Sequence, residues 1–215
     1  MAEQTGAKRG LQFTGVTGTI FLAVIAGVCL GALSLAGDFL PEKLQWIANM
    51  AAPWVAVAFL LGANRRKALV GALAAAAALV IAAVVYFALE EYFLKRGIPI
   101  FRGADEQIWV VVAAIAGAAF GLLGATWREG GRTRSVVAGG LMSGFLVAEA
   151  LVLLMRRGGS GDFIFGVEIA VGAMLPWVLF KNGRDRSWAV LIAAGVAVAA
   201  FVLRVAVLGA FETVD

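Results

Sequence analysis

Three ionisable residues interrupt long apolar runs of the 215-residue chain: Glu149, Glu168 and Arg204. Two carboxyl groups and one guanidinium among apolar side chains form an unbalanced set. An ionised carboxylate buried without a counter-charge is costly, so one acid is expected to be held by Arg204 and the other to keep its proton. A neutral carboxylic acid in an apolar setting is a proton donor, and a carboxylate beside it is a proton acceptor, the division of labour that general acid–base catalysis uses. The competing reading makes one glutamate a structural partner of Arg204 that only ties helices together.

Other chemistries are excluded by residue type. The chain has no histidine and one cysteine, Cys29. Imidazole ligation of haem or zinc, Ser-His-Asp and Cys-His nucleophiles, an internal disulfide and a multi-cysteine metal cluster are all ruled out within one chain. No lysine lies inside an apolar run, so a buried Schiff base is disfavoured. The site is expected to need neither metal nor cofactor.

The elements that carry these residues are set by composition. Hydrophobic residues make up 62% of the chain and charged residues 15%, against about 25% charged in a soluble domain. Of 18 basic and 14 acidic residues, only the three named above fall inside seven apolar stretches. These run near Val16–Ala36, Leu44–Ala63, Ala68–Leu89, Ile108–Trp127, Ser135–Met155, Phe163–Phe180 and Ser187–Gly209. About 20 apolar residues cross the hydrocarbon core as a helix, and the runs lack the alternation of a barrel strand. The chain therefore reads as an all-α integral membrane protein with seven transmembrane helices in a single domain, residues 1–215. Basic residues sort by side. The N-terminal tail and the turns at 65–67, 128–134 and 181–186 hold eleven, and the opposite loops hold six. Positive loops stay inside, which places the N-terminus in the cytoplasm, the C-terminus outside and the protein in the inner (plasma) membrane as a multi-pass chain. The pI of 9.6 then reflects topology and membrane lipids, not nucleic acid.

Gly27 and Gly31 give the first run a small-xxx-small face suited to close helix packing, so it reads as a span and not as a signal peptide despite the small residues of Ser34-Leu35-Ala36. Phe59 to Arg65 resembles Phe120 to Arg128, each followed by a basic turn. This suggests one helix plus three parallel hairpins, although shared alanine, glycine and leucine bias produces the same likeness.

Glu149, Glu168 and Arg204 each lie five or six residues from the outer end of a run, about 8–9 Å below that boundary at 1.5 Å per residue. Polar and aromatic residues share this level: Trp46 and Asn49 on the second run, Tyr86 and Glu90 one helical turn apart on the third, and Trp109 on the fourth. Trp54 and Trp177 each follow a proline, where a bend opens space between helices. The inner half carries no charge. The pattern points to a polar-floored cavity opening outwards, with Glu149 and Glu168 as catalytic candidates and Trp46, Asn49, Trp54, Tyr86, Glu90, Trp109 and Arg204 as substrate-binding ones. The longest loop, residues 90–107, holds the apolar patch Gly97-Ile98-Pro99-Ile100-Phe101, which reads either as a lid over the membrane face or as a re-entrant turn.

Chain length, seven helices, the buried acids Glu149 and Glu168 and the tryptophans resemble the small membrane-bound terpene cyclases of meroterpenoid and indole-terpenoid biosynthesis. That resemblance implies an acid that protonates an alkene or epoxide of a lipophilic prenylated substrate, while aromatic faces steady the carbocation; which glutamate acts is left open. A second resemblance is to the substrate-binding membrane subunits of energy-coupling-factor vitamin transporters. Their first helix packs through small residues, here Ala26, Gly27 and Gly31, but they usually have six helices. Those subunits would bring a membrane partner and ATPases.

Overall fold

Alanine, not leucine, fills the interior of the molecule. In the computed structural model Ala58, Ala75, Ala78, Ala82, Ala150 and Ala189 are 0% exposed, whereas Leu33, Leu69, Val178 and Leu203 are 66 to 78% exposed. Large apolar side chains outside and small ones inside suit a solvent of lipid tails, in which helices associate by close packing. The structure describes residues 15–41, 45, 50–65, 67–94, 104–157 and 162–212; at 16, 94, 104–105, 155–157, 162–164 and 204–212 it describes the backbone alone.

Seven helices and no strands are present among these residues: α1 (Val16–Asp38), α2 (Ala51–Ala63), α3 (Ala68–Leu94), α4 (Ala104–Glu129), α5 (Gly131–Arg157), α6 (Asp162–Leu179) and α7 (Gly183–Glu212). Five of them, α1, α3, α4, α5 and α7, are long and apolar enough to cross a membrane. The chain is an all-helical protein of the multi-pass membrane type.

The second apolar run departs from its expected extent. A helix from Leu44 was expected, but Met50 is extended (φ −78°, ψ 143°) and α2 begins only at Ala51. Its 13 residues rise about 20 Å, short of the hydrocarbon thickness. Pro53 sits in the first turn of α2, where a missing N–H breaks no helical hydrogen bond. Trp46, Asn49 and the patch Gly97–Phe101 lie outside the described residues.

Glycines decide which helices meet. A Cβ on Gly27 would lie 2.5 Å from the carbonyl oxygen of Ala78, and one on Gly31 would lie 2.4 Å from that of Ala82, so α1 lies directly on α3. Helices α2 and α4 cross still more closely. A Cβ on Gly62 would fall 1.9 Å from the oxygen of Gly121, and one on Gly124 would fall 1.9 Å from that of Phe59. Each glycine thus faces the carbonyl three residues before the other, where the two similar segments of the sequence meet. Helices α1 to α4 form one group in which α3 and α4 are neighbours; α5 joins it through α4 and carries α6 and α7 on its other sides.

Candidate functional site

The site is built where the two groups meet, beginning with the exposed start of α2. The first backbone N–H groups of any helix lack partners within it. Met50 at the N-cap position offers no side-chain acceptor. The acceptor comes instead from α5: Oε1 of Glu149 takes the N–H of Ala51. A carboxylate at a helix N-terminus also meets the positive end of the helix dipole. This capping role was not apparent from sequence, because the helix start it serves is not marked by a capping residue.

Glu168, on α6, adjoins Glu149, carboxyl group beside carboxyl group. Glu168 is 5% exposed. Neither of its oxygens, nor Oε2 of Glu149, has a hydrogen-bond partner among the described residues. Two carboxyl groups buried side by side without a counter-charge repel each other when both are ionised, so a proton on one of them stabilises the pair. Below it, the fully buried hydroxyl of Ser143 donates to the carbonyl of Gly172 at 2.6 Å. The same α5–α6 seam therefore holds the Ser143 hydrogen bond and the carboxyl pair. Arg204 lies in α7, and its side chain is outside the described residues.

A cavity of about 590 Å³ opens beside Glu149. Its aromatic walls are Trp54 of α2, Tyr86 and Phe87 of α3 and Trp109 of α4, and its carboxyl groups are Glu149, Glu90 of α3 and Glu106 of α4. Ser34 of α1 and Met50 complete the polar and apolar sides of the rim. The expected residues Trp54, Tyr86, Glu90, Trp109 and Glu149 thus meet around one space. Glu168 does not line it; it stands behind Glu149. Trp177 is 49% exposed on α6 and takes no part.

Four contributors were missed in the sequence. Asp38 accepts the Tyr86 hydroxyl at 2.7 Å, tying the end of α1 to the cavity wall. The first apolar run ends at Ala36, two residues short of the helix end, so the sequence alone does not place Asp38 on the helix. The sequence places Glu106 in the 90–107 loop, whereas α4 begins at Ala104 and not at Ile108. Phe87 and Ser34 carried no signal beyond their neighbours, Tyr86 at the next position and Asp38 one turn away.

Chemically, the cavity offers an apolar, aromatic space with a carboxyl group, Glu149, at one wall. No group of three or more carboxylate or thiol side chains suited to a metal ion occurs among the described residues. The chain belongs to a family of unknown function, DUF6518, whose family model matches residues 11–210. No curated protein and no solved structure matches it.

Proposed function

We propose that the protein is a membrane-embedded, acid-initiated cyclase of a prenylated lipophilic substrate. In this reading seven helices cross the plasma membrane, with the N-terminus cytoplasmic and the cavity opening towards the outer side. The observation that carries it is the single cavity in which Trp54, Tyr86, Phe87 and Trp109 face a carboxyl group, Glu149, that is backed by a second one. Its volume lies within the range of small-molecule sites, about 300–1,000 Å³.

Glu149, the member of the pair that lines the cavity, delivers the proton, while its Oε1 also accepts the N–H of Ala51. It adds to one carbon of an alkene, or to the oxygen of an epoxide, and leaves a carbocation. A second double bond of the same chain supplies the electron pair that closes the ring. The aromatic faces carry negative charge density towards the migrating cation. Loss of a proton from carbon to the Glu149–Glu168 couple restores both carboxyl groups, and the product is an isomer of the substrate. Glu168 keeps the couple supplied with one proton and does not touch the substrate.

The transporter-subunit reading gains less support. Gly27 and Gly31, the small residues that would receive a membrane partner, are covered by α3 of the same chain.

The test is incubation of the purified protein, in lipid nanodiscs, with a panel of prenylated aromatic compounds and their epoxides. Products are separated by chromatography and assigned by NMR, since an isomerisation leaves mass unchanged. A cyclised isomer that forms only with the protein supports the reading. Complete recovery of every panel member from folded protein overturns it.

A further inference from the structure

At the end of the bundle opposite the Glu149 cavity, a second cavity of about 430 Å³ lies between the first turns of α5 and α7. Its upper wall is basic. Arg132 stands on one side and Arg184 on the other. Asp185 accepts the Nε–H of Arg132 at 2.8 Å, and its side chain is only 17% exposed, so it acts as a fixed anchor for that guanidinium. The bridge uses Nε alone and leaves both terminal nitrogens of Arg132, whose side chain is 57% exposed, available as donors. Arg184 makes no side-chain hydrogen bond or ion pair among the described residues.

The lower wall is apolar. Val136 lies one turn below Arg132 and Trp188 one turn below Arg184; Ile192 follows a further turn down. Trp188 is 54% exposed, with its indole at the depth where basic side chains give way to apolar ones, the level tryptophan takes at a membrane interface. A slot with two guanidinium groups at its head and a hydrocarbon channel beneath fits an amphiphile with an anionic head. Arg132, Arg184 and Asp185 leave one net positive charge, which a single phosphodiester neutralises.

We propose that this groove is a binding site for one anionic phospholipid, its phosphate between Arg132 and Arg184 and one acyl chain along Val136, Trp188 and Ile192. Lys67, Arg128, Arg134 and Lys181 lie at the same end of the bundle, and Lys67, Arg128, Arg134 and Lys181 are exposed. They draw acidic lipids to that face without selecting a position. The two groove arginines select it, because there paired guanidinium groups stand above an apolar slot. The site is independent of the proposed chemistry.

Native mass spectrometry of the delipidated full chain, titrated with phosphatidylglycerol or with phosphatidylcholine of the same acyl chains, tests this. One phosphatidylglycerol is expected to be retained at a concentration at least ten-fold below that for phosphatidylcholine. The double variant Arg132→Gln with Arg184→Gln should lose the preference, whereas Arg132→Lys with Arg184→Lys should keep most of it. The pair Lys67→Gln with Lys181→Gln removes equal charge from the same face and should leave the preference intact. Phosphatidylglycerol with a brominated acyl chain should quench the indole emission of the chain less in Trp188→Phe than in the parent. Glycerol phosphate, a head without chains, should not displace the lipid; displacement would make this a free-phosphate site. Equal retention of the two lipids overturns the proposal, as does loss of preference in the lysine pair as large as in the arginine pair.

Discussion

Glu149, deep in α5, caps α2 by accepting the N–H of Ala51, 98 residues earlier in the chain. The same carboxyl group faces the aromatic cavity and leans on Glu168. One side chain therefore completes the fold and supplies the proposed chemistry, and its substitutions separate the two roles.

Glutamine at 149 keeps a carbonyl oxygen for the Ala51 N–H, and leucine keeps none. Glu149→Leu should destabilise the protein by about 0.5–2 kcal/mol, the cost of a lost helix cap, while Glu149→Gln should stay within about 1 kcal/mol of the parent. Thermal unfolding in detergent followed by tryptophan emission measures both. Equal stability of the two variants would remove the capping role.

Chemistry should respond differently. Glu149→Gln should lower cyclisation by about 10²–10⁴, the span of general acid catalysis, with the fold retained. Glu168→Gln should lower the rate less, because the cavity still meets a Glu149 carboxyl group. Leucine at Trp54, Tyr86 or Trp109 should alter the product distribution more than the loss of substrate. Full activity in both glutamine variants would move the proton source elsewhere, with Glu90 at the cavity mouth next in line.

Close packing of α2 on α4 yields a test that needs no substrate. Gly62→Ala and Gly124→Ala each push a methyl group into a backbone carbonyl, and the neighbour is main chain and cannot swing aside. Each should cost about 3 kcal/mol or more. Gly195→Ala, on α7, meets nothing within 4 Å and should cost nothing, since alanine is the better helix former. Unfolding midpoints of the three variants side by side decide the point.

Orientation rests on the eleven basic residues gathered at one end against six at the other. A cysteine placed after Glu212, in a Cys29→Ser background, should react with an impermeant maleimide in intact cells. Reaction only after permeabilisation would invert the topology.

The membrane character, the seven apolar runs and the common depth of the acids were legible along the chain, because transfer into hydrocarbon and helix rise are summed residue by residue and need no knowledge of neighbours. The meeting of Tyr86, Glu90, Trp109 and Glu149 followed from depth as well, since residues at one level of a small bundle have few places to go, whereas Trp54 was marked by the proline before it. Their rotation about each helix axis was another matter. These helices are apolar on every side and have no amphipathic stripe to mark the face turned inwards. Depth placed Glu149 and Glu168 alike; only the way α5 and α6 pack puts the first against the cavity and the second behind it. The start of α2 at Ala51 was hidden for a related reason: its capping group is not a local serine or aspartate but Glu149, brought across from another helix. Contacts between Asp38 and Tyr86, or Gly62 and Gly121, depend on carbonyl groups and glycines fitting to within an ångström, and no period or composition along a single chain encodes that fit.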